Sequence, residues 1–264
     1  MTATKTTKIR RPTVTPSLVD SRLGELLKNN GTLTEQDIRD ILARQAEFSL
    51  IEYGESALSL KIVAAYDPYG KRAEELRTAR SELALRWFGQ GNRVLAVIEA
   101  RRGQGGSLLA ANLAVTFAQL GERTLLIDAN LRAPAQHTLF GLTANRGLVD
   151  FLKGRESLDK TITPVPGFRC LSVMCAGTLP PNPQELLGNF SFGYLMESAP
   201  TKFEVVIVDA PPILECADAQ LIAARARGAV LAAKRHRTSV ADAVRVRALL
   251  EPAGATLLGS VIDG

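Results

Sequence analysis

From residue 93 onward, short apolar runs alternate with segments of helical periodicity, and this alternation constrains the fold more than any other feature of the chain. The strand-like runs are Arg93–Glu99, Arg123–Asp128, Arg169–Met174, Glu204–Asp209, Ala229–Lys234 and Thr256–Ile262. Several are apolar on both faces, as strands sandwiched between helix layers must be. The intervening segments, among them Leu108–Leu120 and Val240–Leu250, are long enough for crossover helices. The pattern predicts an α/β fold with a doubly wound, mostly parallel sheet. Ligands of such sheets sit beyond the C-terminal ends of the strands. Chemistry is therefore sought immediately after each run.

The 264 residues leave room for one to two domains at roughly 150 residues each. A hydrophobic share of 46% and a charged share of 22% are ordinary for a globular protein and exclude a disordered chain, a collagen or a coiled-coil rod. No run approaches the ~20 apolar residues of a membrane-spanning helix. Met1 to Ser17 carry no apolar core, so a secretory signal is not expected. Cys170, Cys175 and Cys216 have neither metal-ligand spacing nor even parity, which fits a reducing cytoplasm. The net charge of +5 points to a phosphate-bearing partner or an anionic membrane without choosing between them.

Ahead of the alternation, residues 1–19 read as a disordered basic tail. Lys5, Lys8, Arg10 and Arg11 precede the first acid, Asp20. Attraction to a membrane surface is the alternative. Residues 20–48 read as two short helices: Leu23, Leu26 and Leu27, then Ile38, Ile41 and Leu42 behind Thr34, with Gly31 between them. Residues 49–70 read as a linker ending in Asp67-Pro68-Tyr69-Gly70, and a helix over 71–88 ends in Trp87-Phe88. The expected organisation is a tail (1–19), a small helical module with linker (20–65) and one sheet domain (66–264).

Three strand ends carry candidate chemistry. After the first run, Ala100-Arg101-Arg102-Gly103-Gln104-Gly105-Gly106-Ser107 opens a helix at Leu108. This is the place and shape of a phosphate-binding loop, where backbone N–H groups and a helix N-terminus face an anion. Against the pattern G-x-x-x-x-G-K-[ST], Ala100 replaces the first glycine and Gly106 the lysine, while Ser107 keeps a hydroxyl suited to Mg²⁺. Taken alone, the loop also fits a plain glycine-rich turn. After the second run, Asp128 in Asp128-Ala129-Asn130-Leu131-Arg132 is placed to hold a metal or polarise a nucleophile, or simply to cap a turn. After the fourth, Val205-Val206-Ile207-Val208-Asp209 is the Walker-B arrangement. The convergence of all three predicts one nucleotide and metal site.

With these motifs in place, the chain resembles the bacterial tyrosine kinases of the exopolysaccharide chain-length-determinant group, within the MinD/ParA-like P-loop ATPases. The resemblance spans about residues 66–264. It is carried also by Ala65-Tyr66-Asp67-Pro68, by Glu74, Arg77 and Arg80 at E-x-x-R-x-x-R spacing, and by Leu85-Arg86-Trp87-Phe88. Further matches are Gln136-His137-x-Leu139-Phe140-Gly141, Gly177-x-x-Pro180-Pro181-Asn182-Pro183-x-Glu185-Leu186-Leu187 and Ala217-Asp218-Ala219. It implies a cytoplasmic tyrosine kinase using ATP/ADP and Mg²⁺. It implies as well a membrane-embedded polysaccharide co-polymerase as partner, control of polymer chain length, and peripheral attachment to the inner membrane through that partner. Nucleotide would be held by Arg102, Gly103, Gln104, Gly105, Gly106, Ser107, Leu108 and Asp263. Metal would be held by Ser107, Asp128 and Asp209. Asp128, Asn130 and Asp209 would carry the chemistry, and Glu74, Arg77 and Arg80 would dock on a neighbouring subunit of a ring-like oligomer. The phosphate partner implied is a nucleotide, not a nucleic acid.

Three departures from the family weigh on activity. Gly106 stands where members have Lys or Arg, Asn130 where they have a second Asp, and Asp263 where an Asn contacts the base. Phosphoryl transfer is positioning plus neutralisation of developing charge, so loss of the cation at 106 predicts weakened ATP binding and poor catalysis. Arg101 or Arg102 could partly compensate. Two alternatives stand beside the kinase: a catalytically dead module of the export complex, and a partitioning ATPase. Of Tyr53, Tyr66, Tyr69 and Tyr194, Tyr66 and Tyr69 are the better candidates for phosphorylation. His137 and His236 are too far apart in sequence to suggest a dyad, and Lys234-Arg235-His236-Arg237 reads as a solvated basic loop.

Overall fold

A computed structural model of the chain describes residues 58–67, 69–143 and 145–263. The expected tail, the helical pair and most of the linker lie outside the described residues. All described residues belong to the unit Leu50–Gly264.

The strands are β1 (Val94–Glu99), β2 (Thr124–Asp128), β3 (Thr163–Pro164), β4 (Leu171–Met174), β5 (Val205–Asp209), β6 (Gly228–Lys234) and β7 (Thr256–Asp263). They form one sheet in the order β3-β4-β2-β5-β1-β6-β7. Every pairing is parallel except β3 with β4. The expected doubly wound sheet is therefore present, with a short antiparallel edge that periodicity does not reveal, because two residues carry no period. The helices are α1 (Val63–Tyr66), α2 (Lys71–Arg86), α3 (Gly106–Gln119), α4 (Gln136–Phe140), α5 (Leu148–Leu152), α6 (Leu158–Thr161), α7 (Pro183–Gly188), α8 (Phe190–Ser198), α9 (Asp218–Ala226) and α10 (Val240–Leu250).

Alternation along the strands sends side chains into two cores. Leu95, Val97, Leu126 and Ile207 pack with α1, α2 and α3, whereas Ala96, Ile98, Ile127 and Val208 pack with the helices that follow β2, β4 and β5. The central strands β1, β2 and β5 are buried along their whole length. Burying one such aliphatic side chain contributes about 1.5–3 kcal/mol. Leu58, Ile62, Ala64 and Ala65 are buried in the same core as α3, and the Ala64 amide donates to Asn112 Oδ1 at 3.1 Å. The segment 58–65, grouped with the linker by its turn-forming residues, thus packs as part of the sheet domain. Local chemistry sets the helix ends. Pro183 occupies the first turn of α7, Asn189 and Ser239 cap α8 and α10 through their side chains, and Gly121 beyond α3 takes a φ of 91°.

Candidate functional site

The three expected strand ends converge. β1 delivers the loop 100–107 to the start of α3, and Asp128 and Asp209 end adjacent parallel strands as register partners. Gly103 and Gly105 take φ values of 83° and 97°. These left-handed conformations turn successive loop amides inward, and glycine adopts them without steric cost.

Both aspartates are fully buried. Asp128 Oδ2 accepts the amides of Ala135 at 3.0 Å and Gln136 at 2.9 Å. Gln136 Nε2 donates to Asp209 Oδ2 at 2.7 Å and to the Ser107 carbonyl at 2.9 Å. Gln136 therefore ties α4, the loop and the Walker-B carboxylate together. In each aspartate the second oxygen, Oδ1, is buried with no hydrogen-bond partner. Burial pushes the Asp128 carboxyl up to about 6, against the pull of its backbone hydrogen bonds. Burial, then the Asp128 charge, raises the Asp209 carboxyl well above the usual carboxylate range, while hydrogen bonds from Gln136 and Ser107 oppose it. Two crowded carboxylates with orphaned oxygens beside a serine hydroxyl fit Mg²⁺, which takes one or two carboxylates and completes its shell from water and phosphate. Among the described residues no set of three acidic, histidine or cysteine side chains is grouped to hold an ion, so a metal bound by an all-protein cage is not offered.

The phosphate loop is arranged differently from the expectation. Glu99, the last residue of β1 and 8% exposed, turns its carboxylate into the loop. It accepts the amides of Gly103 at 3.3 Å, Gln104 at 2.8 Å and Gly106 at 3.1 Å. The Arg101 amide donates to Gln104 Oε1 and the Arg102 amide to Glu215 Oε1. Five amides of the loop, those of Arg101, Arg102, Gly103, Gln104 and Gly106, thus already hold oxygen atoms of this chain. As it stands, the loop does not fit a phosphate group.

Arg101 does not make up the missing cation. Arg101 is held by Asp242 of α10 through Nε at 3.2 Å and Nη2 at 3.0 Å, which directs its charge to that pair; the expected compensation fails at Arg101. Arg102 lies on the exposed side of the loop. Asn130 Oδ1 accepts the Ala133 amide at 3.1 Å and so holds the turn after β2. Asp263 pairs with Arg72, and the two line a cavity of about 360 Å³ with Gln104, Gly105, Leu108 and Asn112. Its position beside the loop suits a nucleoside. Just beyond the site, Arg132 forms a two-pronged pair with buried Asp218 at 2.7 and 3.0 Å, joining the Asp-Ala-Asn-Leu-Arg run to α9.

A ParA-type family model, described as NUBPL iron-transfer P-loop NTPase, matches residues 90–263. Tyrosine-protein kinase YwqD of Bacillus subtilis is 34% identical over 209 residues, 79% of this chain and 88% of that protein. The chain belongs to the bacterial tyrosine-protein kinases. The kinase domain of Escherichia coli tyrosine kinase ETK has a TM-score of 0.74 at 29% identity, covering 77% of this chain and 79% of that one. A MinD from Pyrococcus horikoshii, solved with Mg-ADP, has a TM-score of 0.57 at 21% identity over 65% of this chain and 70% of its own, a likeness of fold alone.

The helix α2, which carries Glu74, Arg77 and Arg80, presents its charges unequally. Arg77 Nε donates to Glu74 at 2.8 Å within the helix. Arg80 folds back, its Nη1 donating to the Thr116 carbonyl at 3.1 Å, and burial holds its guanidinium below its ordinary value. Arg80 is therefore partly spent on packing α2 against α3, while Glu74 remains on the surface. Of the candidate phosphorylation sites, Tyr66 donates its hydroxyl to the Leu58 carbonyl at 2.7 Å, and Tyr69 is 82% exposed. No described helix is long and apolar enough to cross a membrane. Glu99 lies in no quoted motif, and Gln136 opens the Gln136-His137-x-Leu139-Phe140-Gly141 match without a role assigned to it; a strand-final acid next to a glycine-rich loop is the available signal for Glu99.

Proposed function

We propose that this chain is a tyrosine-kinase-family module of exopolysaccharide biosynthesis and export, bound to the cytoplasmic side of the inner membrane through a membrane-embedded polysaccharide co-polymerase. In that role it controls polymer chain length and binds Mg-nucleotide only weakly. The observation that carries the reading is the contrast within one site. Asp128, Asp209 and Ser107 keep a magnesium-ready cluster, while the loop beside it has no cation at 106 and its amides are engaged by Glu99. Bound Mg²⁺ would supply charge neutralisation, and this chain's residues would orient it through Gln136. No phosphoryl step is assigned, since electrostatic stabilisation of the transferring group is the main catalytic device of this chemistry and its central cation is missing.

The same contrast favours a second reading, in which the kinase fold acts purely as an interaction module. It would self-associate into a ring-like oligomer through the exposed side of α2, with Glu74, Arg77 and the outer part of Arg80. Purified protein incubated with Mg-ATP is expected to form little phosphotyrosine. Isothermal titration is expected to give millimolar rather than micromolar binding of Mg-ADP. Rapid autophosphorylation would defeat both readings. In a deletion strain, restoration of polymer length by an Asp128→Ala/Asp209→Ala double variant would select the interaction module, and failure of that variant beside a competent wild type would select control through weak Mg-nucleotide binding.

A further inference from the structure

We propose that Glu99 is the resting ligand of the phosphate loop, a built-in anion in the place of a nucleotide phosphate, so that nucleotide binds only by displacing it. The inference rests on reading this loop as the nucleotide site.

The geometry is that of a bound anion. The two Glu99 oxygens divide three amides between them: Oε1 takes Gly103, and Oε2 takes Gln104 and Gly106. These donors face inward because Gly103 and Gly105 are left-handed, and Gly106 begins α3, whose N-terminal amides favour negative charge. Hydrogen bonds from backbone N–H to a carboxylate are about twice as strong as neutral ones. The carboxylate is thus well held, and a phosphate arriving there meets occupied donors and a like charge.

The substitution at 106 belongs to the same arrangement. A Cβ on Gly106 would stand 3.3 Å from Glu99 Cγ, 3.4 Å from Cβ and 3.5 Å from Cδ. The space beside the loop where a lysine stem would begin is bounded by the Glu99 side chain. A glycine there leaves the glutamate undisturbed, whereas a lysine would crowd its stem. Residues 99 and 106 therefore act as a pair: with glutamate and glycine the loop is closed on itself, and with a short polar residue and lysine it is open to phosphate. Restoring the lysine alone leaves a competitor in place.

The test compares wild type, Glu99→Ser, Gly106→Lys and the double variant, with near-UV circular dichroism to verify folding. Two readouts are taken. Without nucleotide, amide hydrogen exchange at Gln104 and Gly106 is expected to be at least about tenfold faster in Glu99→Ser than in wild type, because serine is too short to reach them. Mg-ADP titration is expected to show at least about tenfold tighter binding in Glu99→Ser than in wild type, and in the double variant than in Gly106→Lys. Unchanged exchange overturns the proposal, as does a double variant that binds Mg-ADP no better than Gly106→Lys; the nucleotide-site reading survives that second result. If none of the four proteins binds Mg-ADP, the nucleotide-site reading falls, and the competition with it. Should Glu99→Ser fail to fold, Glu99→Gln keeps the size and one acceptor and is expected to move both readouts in the same direction by a smaller factor.

Discussion

Asp128 and Asp209 end neighbouring strands in register, and burial opposes the ionisation of both, with the Asp128 charge adding to it at Asp209. Asp128 is raised to about 6, against about 3.9 for an unperturbed aspartate. A carboxyl whose folded value is raised contributes stability that is fully present below the unfolded value and is lost as pH rises through the folded one. The metal-free protein is therefore expected to lose stability between about pH 4 and pH 6–7 from this residue, by about 3 kcal/mol at most. Asp128→Asn keeps an acceptor for the Ala135 and Gln136 amides and removes the buried charge. It is expected to raise metal-free stability at pH 7 by about 1–3 kcal/mol and to flatten the pH profile. Urea unfolding at pH 5 and pH 7 checks this, and a less stable variant at pH 7 would remove the argument that burial of the Asp128 charge costs stability. These two aspartates were legible because each closes an apolar run. Glu99 was not, since its role depends on where a strand-final side chain turns. Gln136 was not, because a glutamine beyond a loop carries no signal of reaching two strand ends.

At the scale of elements, the clearest constraint is where the end of α2 meets β6. Trp87 follows α2, donates its indole N–H to the Val94 carbonyl at 2.8 Å, and lays its ring over Gly228 at the start of β6. A Cβ on Gly228 would stand 2.4 Å from Cζ2 and 2.6 Å from Cη2 of that ring. A buried ring fixed by its own hydrogen bond cannot withdraw cheaply, so Gly228→Ala is expected to cost about 1–3 kcal/mol through overpacking. Because Trp87 is the chain's single tryptophan, its fluorescence reports the same event, with emission expected to shift to the red. Unchanged emission and stability would show that the strand moves away instead. The six strand runs and the helices α2, α3 and α10 could be read from the sequence because their periods extend over several residues. The short elements between β2 and β4 could not. α4, α5 and α6 have five, five and four residues, too few for a helical period, and they are set by tertiary contact. One such contact is the Leu148 amide donating to the Cys175 carbonyl at 2.8 Å.

For the whole molecule, the strength of the nucleotide site is readable in the stability of the domain, because a ligand that binds only the folded state raises stability by RT ln(1 + [L]/Kd). With a Kd near 1 mM, about 10 mM Mg-ADP contributes about 1.4 kcal/mol, a rise of about 3–6 °C in Tm for a domain of this size. A micromolar site at the same concentration would contribute about 5 kcal/mol and shift Tm by more than about 10 °C. Wild type is expected in the lower range, and a shift above about 10 °C would sink the weakened site. Chelating the magnesium separates the two halves of the site. The carboxylate pair has two buried oxygens awaiting a cation, so ADP with chelator is expected to lose most of the shift. If the closed loop is what limits affinity, Glu99→Ser carries the larger shift in magnesium although it has lost three hydrogen bonds from the empty fold. Its Tm without ligand is therefore expected to lie below that of wild type, and its ligand-induced rise above it. A simple structural cap predicts the first effect and not the second, so the pair of temperatures distinguishes a glutamate that only holds the loop from one that also competes for it.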